Sequence, residues 1–295
     1  MSFKYFINIF IIQLVLIPFL SRANDYFSVQ LNLVQSYEIQ TNNSIEPSGL
    51  TEWDGDFYTV SDKHNAIFKL VFEDKKVNLV SVIDIQSKEG EKLDFEGITH
   101  DDEFFYLISE LSFRILKISK DGLMQEWVNT ENKIYESGTK AGLFQVENAY
   151  LEGICILTDG TFLLASERQP RGFVEIDSNN QYRAYQVDES MHEYKPGVSP
   201  DFSGLSCDEK IYGINRNAYA INELKKVDNK FKEFKSYSYK HIVTSPHLKY
   251  QNMDYGHAEG LVVIGNYFYI LLDNNKINFE KNPNNSNSLF LKMEK

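Results

Sequence analysis

Five side chains that can bind a hard cation recur along the sequence, each directly before a glycine and an aliphatic residue. They are Ser48, Glu96, Glu152, Ser203 and Glu259. The intervals between them are 48, 56, 51 and 56 residues. Ca²⁺ accepts roughly six to eight oxygen ligands in tolerant geometry, whereas Mg²⁺ prefers a tighter octahedron and Zn²⁺ prefers His or Cys. The pattern therefore predicts one Ca²⁺ site, provided that the fold brings the five side chains together.

Each of these residues lies at the start of a longer repeat, and the repeat predicts the fold. The copies begin at Pro47, Asp94, Tyr150, Asp201 and His257. Each continues with a short strand, a polar turn, a strand rich in aromatic and β-branched residues and usually a third strand. A period near fifty residues with such strand and turn signals is typical of propeller blades. Because the first strand of each blade lines the axial channel of a propeller, residues at matching positions converge there.

We therefore predict an all-β, five-bladed β-propeller in which an N-terminal strand closes the last blade. The closing strand is expected within residues 29–39, since the last copy ends near the C-terminus without a fourth strand. A fourth, outer strand is expected after most copies, for example at 77–85, and surface loops are expected at 125–149 and 178–200. Each repeat glycine is expected to permit a tight turn into its inner strand. A six-bladed ring would need a sixth copy, which we do not find.

A second polar tier is predicted beside the first, where each second strand ends on the same face as the ring residue. Its members follow the ring residues by 14, 14, 15, 12 and 14 positions and are Asp62, Glu110, Glu167, Asn215 and Asp273. Basic residues follow in three blades, namely Lys63 with His64, Arg168 with Arg171, and Arg216.

Carboxylates, a metal ion and cationic side chains around one channel mouth could polarise a phosphoryl group and activate water. Under this hypothesis Asp62 or Glu167 orients the water, and Arg168 or Arg216 steadies the anion. In the alternative interpretation, the acids cap turns and pair with neighbouring cations on a solvated rim.

The N-terminus predicts export. Lys4 precedes an apolar run over residues 6–20, and Ser21 and Ala23 are small residues of the kind that a signal peptidase reads. We predict a signal peptide over 1–23, a single domain over 24–295, and a secreted or periplasmic protein without stable membrane insertion. An uncleaved membrane anchor is the alternative.

The charge argues against nucleic acid as a partner. Removal of Lys4 and Arg22 with the signal peptide changes the formal charge from −12 to −14, with 28 basic against 42 acidic residues. Such a chain repels phosphate backbones. A stretch from Lys225 interleaves lysine with aromatic residues, as single-strand binders do. It is also typical of an outward strand with its loop.

The two cysteines, Cys155 and Cys207, lie near equivalent points of neighbouring blades. Their strands need not approach within disulfide distance, so a bridge is the less favoured interpretation even in an oxidising compartment.

The order Ser, Glu, Glu, Ser, Glu resembles the axial calcium ring of the calcium-activated nucleotidase (apyrase) propellers and of the SdiA-regulated proteins. The third copy, EGICILTDGTFLLASERQPRGFVEI, resembles the esterase-like phytase family. The resemblance covers residues 29–295. It implies a Ca²⁺ cofactor and a site in the channel mouth, where Asp62 in VSDKHNAIFKL resembles a functional aspartate of the nucleotidases. The long insertions that shape their nucleotide pocket are reduced here.

The resulting expectation is an exported calcium-dependent hydrolase of a phosphate ester or related small anionic ester. The alternative is a non-catalytic, calcium-stabilised recognition module that binds a protein or an envelope glycan.

Overall fold

The computed structural model describes residues 27–40, 45–128, 132–187, 189–253, 256–273 and 275–295. The predicted signal peptide lies outside these residues. None of the helices in the described ranges is both long enough and apolar enough to span a bilayer.

The repeats fold into antiparallel meanders of strands, preceded by two N-terminal strands, β1 (Phe27–Gln30) and β2 (Asn32–Gln40). The first meander contains β3 (Pro47–Trp53), β4 (Asp56–Ser61), β5 (Ala66–Glu73) and β6 (Lys76–Asp84). The second contains β7 (Phe95–His100), β8 (Phe104–Ser109), β9 (Arg114–Ser119) and β10 (Gln125–Trp127). The third contains β11 (Leu151–Ile156), β12 (Phe162–Ser166), β13 (Gly172–Ile176) and β14 (Tyr182–Gln186).

The fourth meander contains β15 (Leu205–Cys207), β16 (Ile211–Asn215), β17 (Ala220–Val227) and β18 (Lys230–Ser238). The fifth contains β19 (Ala258–Ile264), β20 (Tyr267–Leu272) and β21 (Leu289–Glu294). The described helices are α1 (Lys133–Lys140), α2 (Lys240–Val243) and a 3₁₀ turn at Arg216–Ala218. The inner strands β3, β7, β11, β15 and β19 each contact the next, and β19 contacts β3. The meanders thus close around one axis, and the predicted all-β propeller fold is confirmed.

The N-terminal segment completes the ring, as predicted. β2 pairs antiparallel with β21 and becomes the fourth strand of the last meander. It also pairs in parallel with β6, the outer strand of the first meander, through Glu38 to Gln40. β1 pairs in parallel with β18 of the fourth meander. The segment therefore joins three meanders at their outer edges and covers strand edges that would otherwise be open.

Hydrophobic packing between meanders supports the same closure. Ile39 of β2 and Val77 of β6 lie in one buried cluster with Leu50, Leu271 and Phe290. This cluster bridges the first and last repeats of the sequence. Burial of these side chains stabilises ring closure.

Two predicted surface loops contain regular structure. The 125–149 segment holds β10 and α1, and the 178–200 segment holds β14. β10 and β14 are outermost strands of three and five residues, and no residue of either is fully buried. An edge strand with so little burial leaves only a weak hydrophobic pattern in the sequence.

The repeat glycines have a second role beside the expected one. A Cβ atom on Gly49 would lie 2.8 Å from the Cα of Gly97, and one on Gly204 would lie 2.9 Å from the carbonyl oxygen of Glu259. The glycines therefore let neighbouring inner strands approach closely around the axis, in addition to any freedom that they give to a turn. The aliphatic residues that follow them fill the waist of the channel; they are Leu50, Ile98, Ile154, Leu205 and Leu261.

The same convergence pairs the two cysteines, against the sequence-based expectation. Cys155 and Cys207 form a disulfide between β11 and β15, with their Cα atoms 5.6 Å apart. Inner strands of adjacent meanders approach each other at the axis because glycine lines the contact, which brings the two side chains within bonding distance.

Candidate axial site

One end of the axial channel opens into a cavity of about 510 Å³, which we call the axial cavity. Among the described residues that line it, seven are acidic, namely Glu46, Asp62, Glu96, Glu152, Glu167, Glu259 and Asp273. Three are cationic, namely Lys63, Arg168 and Arg216. The cavity lining therefore carries four more negative than positive formal charges, and amides such as Asn148 and Asn217 supply neutral polar groups.

Backbone irregularities aim the three repeat glutamates. Phe95 pairs with Ser109 and Gly97 with Ile108, so Glu96 is the extra residue of a β-bulge between β7 and β8. Glu152 and Glu259 occupy the same position in their own meanders. A bulge turns the extra side chain out of the alternating pattern of the strand. The Glu-Gly pairs thus direct each carboxylate into the cavity while the following aliphatic residue remains in the channel waist.

Four of the five predicted ring residues line the axial cavity. Ser48 and the three glutamates do so, but Ser203 does not. Ser203 is fully buried, and its hydroxyl donates a hydrogen bond of 2.6 Å to the carbonyl oxygen of Ala258. This bond fixes the backbone of the next inner strand one residue before Glu259. Its predicted role as a metal ligand stays a prediction.

The predicted second tier divides in the same way. Asp62, Glu167 and Asp273 line the cavity, together with the basic residues Lys63, Arg168 and Arg216. The other members lie elsewhere: Glu110 accepts a hydrogen bond from the backbone N–H of Tyr150, and Asn215 caps the 3₁₀ turn. Of the remaining basic residues named from the sequence, His64 is outside the lining and Arg171 is buried in an ion pair with Glu233.

Arg216 is the centre of one half of the site, which we call the arginine side (Arg216, Asp201, Glu167 and Glu259). Its Nε donates to Asp201 at 2.9 Å, and its two terminal nitrogens donate to Glu259 and Glu167. Burial opposes the charge of the guanidinium, but Glu259, Glu152 and Asp201 outweigh it and raise the pKa of Arg216. Since each nitrogen group already serves a carboxylate, Arg216 holds these acids in place and has little capacity left for an anion.

The other half, which we call the aspartate side (Asp62, Asp94 and Glu96), has no arginine. One carboxylate oxygen from each of its three members lies within 4.8 Å of the others. Lys92 approaches Asp94 at 2.6 Å, and Lys63 bridges Asp62 and Glu46 at the mouth. Among the described residues, Glu96 has no ion-pair partner. This half therefore brings carboxylates together with less compensation from the protein.

Sequence reasoning missed one set of site residues, although a signal was present. Glu46, Asp94 and Asp201 each stand two positions before a ring residue. Acidic side chains thus recur at this phase in the first, second and fourth copies.

The cavity makes ionisation of its acids costly. Burial raises the pKa of Glu96 well above its usual range, and the charges of Glu152 and Asp62 add to the shift. Burial raises the pKa of Glu259 to about 8 although Arg216 opposes the change, and it raises the pKa of Asp273 to about 7. A cation bound among these groups would lower such pKa values, because it favours the charged forms.

The donor atoms fit a hard divalent cation. Buried oxygens without a hydrogen-bond partner include Oδ1 of Asp62, Oε2 of Glu167 and Oε2 of Glu259. Buried carboxylate oxygens normally have partners, so these atoms have coordination capacity to spare. The described residues of the cavity lining supply oxygen donors and include no Cys or His. This donor set suits Ca²⁺ better than Zn²⁺.

Comparisons with known proteins point to one family and to the fold. Residues 46–199 match the phytase-like family model, described as esterase-like activity of phytase. The fold is similar to that of glutaminyl cyclase from Myxococcus xanthus, with 12% identity, coverage of 92% of this chain and 99% of the other, and a TM-score of 0.59. A candidate gluconolactonase is 9% identical, with coverage of 89% and 97% and a TM-score of 0.50. The search of curated proteins found no match.

Proposed function

Since the chain belongs to the phytase-like family, we propose that it is a calcium-dependent hydrolase acting on phosphate esters or related small esters in the axial cavity. The matched segment contains Ser48, Asp62, Glu96, Glu152 and Glu167, whereas Arg216 and Glu259 lie outside it. We also propose that the order of ring residues reflects a relationship to the SdiA-regulated and calcium-activated nucleotidase propellers.

The proposal depends on one observation, the convergence of seven acidic and three cationic side chains on a single cavity. An anionic ester would be repelled by this lining on its own. A divalent cation would offset part of the excess charge and give the ester an attractive partner. Binding of a small anionic substrate at this site would therefore depend on a bound metal ion.

Glu96, Glu152 and Glu259 are the residues that would hold Ca²⁺, with Ser48 beside them and the unpaired oxygen of Asp62 within the same cavity. A bound Ca²⁺ supplies positive charge that polarises an ester or phosphoryl oxygen.

The protein's own groups suit the remaining tasks. Oε2 of Glu167 is buried without a partner while its Oε1 is held by Arg168 and Arg216, so the free oxygen can accept a hydrogen bond from an attacking water. Oδ1 of Asp62 can do the same from the opposite half. Arg168 has a half-buried side chain and meets an incoming anion at the mouth. Arg216 keeps Glu167 and Glu259 in place.

The test is a turnover assay on purified protein with phytate, nucleotides and model carboxylic esters, in Ca²⁺ and in EGTA. We expect turnover in Ca²⁺ only, and we expect Glu152→Gln to lower it by about a hundredfold or more. The exposed Glu89→Gln is the matched control, since it removes one charge far from the cavity lining. Equal turnover in EGTA, or an active Glu152→Gln enzyme, would contradict the proposal. Calcium binding without turnover of any ester would favour the recognition-module alternative.

We further propose that the protein is secreted or periplasmic. The disulfide between Cys155 and Cys207 supports this, because structural disulfides persist mainly in oxidising compartments. Cell fractionation tests it, and recovery of the mature chain in a reducing compartment would contradict it.

A further inference from the structure

A lysine-rich hairpin of the fourth meander extends beyond its sheet. β16 pairs with β17 only as far as Leu224, whereas β17 and β18 remain paired to their turn at Val227 and Lys230. β1 covers β18 only from Lys235 onwards. Within the described residues, no strand pairs with either edge of residues 225–232, while the inward side chains of Lys226 and Phe231 pack against the third meander.

One face of this hairpin is basic and apolar. Lys225 lies directly opposite Lys232, and Val227 lies opposite Lys230, so these four side chains share a face. Phe234 is the extra residue of a bulge, is 53% exposed and lies under Lys225, whose Nζ is 3.2 Å from the ring centre. We call this face the basic hairpin. Among the described residues, Lys225, Lys230 and Lys232 have no ion-pair partner.

Like charges directly opposite each other destabilise a strand pair. In a chain with a formal charge of −12, such a cluster requires a reason beyond folding. Lys226, on the opposite face, shows the contrast, since it pairs with Glu175 and packs against Tyr185. The protein thus neutralises the lysine that faces its own body and leaves the outward ones available.

A concave space lies beside the turn of the hairpin. It has a volume of about 530 Å³, and its lining includes Asn229 of the turn together with Lys140 of α1 and Arg183 of the third meander. No acidic residue is among the described residues of that lining. The space is large enough for a phosphate-containing headgroup and borders the turn of the hairpin.

We propose that the basic hairpin docks the protein on a membrane surface rich in anionic phospholipid headgroups. Charge complementarity selects the partner, and the exposed Phe234 and Val227 suit the boundary between headgroups and acyl chains. The outward lysines can touch a flat surface, and Asp228 of the turn is the one acidic residue between Lys225 and Lys232. A long polyanion such as nucleic acid would instead continue across the acidic surface. The inference is independent of the proposed hydrolase function.

Co-sedimentation with vesicles tests the proposal, using the full protein in EGTA at about 0.1 M salt so that calcium bridging through the cavity is excluded. We expect binding to vesicles of equal parts phosphatidylglycerol and phosphatidylcholine, and none to phosphatidylcholine alone. The triple variant Lys225→Gln, Lys230→Gln, Lys232→Gln should weaken binding by about tenfold or more. Phe234→Ala should weaken it without any change of charge.

The matched control changes three exposed lysines of the first meander, Lys75→Gln, Lys76→Gln and Lys88→Gln, and should bind as the unmodified protein does. Equal unfolding midpoints establish that both triple variants are folded. The proposal is overturned if the hairpin variant binds normally, if the unmodified protein does not bind anionic vesicles, or if the same lysines bind a single-stranded oligonucleotide more tightly than vesicles.

Discussion

The two halves of the axial site differ in how the negative charge of their carboxylates is neutralised. On the arginine side, one guanidinium donates to Asp201, Glu167 and Glu259. On the aspartate side, the carboxylates of Asp62, Asp94 and Glu96 lie close together, and among the described residues they form ion pairs only with lysines, Lys63 and Lys92. The first half carries its counter-charge within the fold. The second half has a charge that a cation from solution can neutralise.

This difference indicates which half of the site needs a metal ion. Three glutamates of the repeat were expected to share one ion on the symmetry axis. The fold instead assigns Glu259 to Arg216 and leaves Glu96 without an ion-pair partner among the described residues. We therefore expect cation binding to depend more on the aspartate side than the sequence symmetry suggests.

The largest expected effect comes from removing the internal cation. Arg216→Met should lower the free energy of unfolding by about 3–5 kcal/mol in EDTA, because Asp201 would remain buried without its ion-pair partner. Urea denaturation measures the loss, and Ca²⁺ should restore part of it. Arg168→Met is the control: its side chain is 32% exposed, so we expect a loss below about 1 kcal/mol. Equal losses in the two variants would show that Arg216 contributes no more to stability than the partly exposed Arg168 does.

A smaller effect separates the two sides by affinity. Glu96→Gln should weaken Ca²⁺ binding by about tenfold more than Glu259→Gln does, because a carboxylate without an ion-pair partner contributes its full charge to the metal whereas Glu259 already shares its charge with Arg216. Isothermal titration calorimetry measures both constants, with the exposed Glu89→Gln as reference. If the two substitutions weaken Ca²⁺ binding equally, Glu96 and Glu259 contribute equally to the site, as the symmetric ring predicted from the sequence requires.

The smallest effect is expected at the mouth. Lys63 is 42% exposed and pairs with Glu46 and Asp62, so Lys63→Gln should change the free energy of unfolding by less than about 1 kcal/mol. The same change should strengthen Ca²⁺ binding by about twofold, because it removes a competing positive charge from the aspartate side. Lys69→Gln, which breaks a pair with Asp56 away from the cavity lining, should leave the affinity unchanged. Weaker Ca²⁺ binding in Lys63→Gln would contradict the assignment of this side as the cation site.

Much of the fold could be predicted because its signals are local and repeated. The Glu-Gly-aliphatic motif marks the start of inner strands β7, β11 and β19, and the 29–39 stretch supplied the closing strand. Outer strands β10 and β14 were missed, since strands with little burial have little pattern. Four of five ring residues reached the cavity, as equivalent positions do in a closed repeat.

The partners of those residues could not be predicted in the same way. Arg216 and Glu167 are 49 positions apart, and their contact depends on how two meanders converge. The disulfide between Cys155 and Cys207 depends on the same convergence. Spacing along the chain says nothing about distances of a few ångströms across the axis.

The amino-acid sequence by itself determined the repeat, the strand order and the phase at which acidic side chains occur, because each follows from patterns within a few residues. Only the tertiary structure decided which acid meets Arg216, which acids remain uncompensated and which serine turns away. Those outcomes depend on side chains from different repeats competing for one small space, where a shift of about 1 Å exchanges a hydrogen bond for a repulsion.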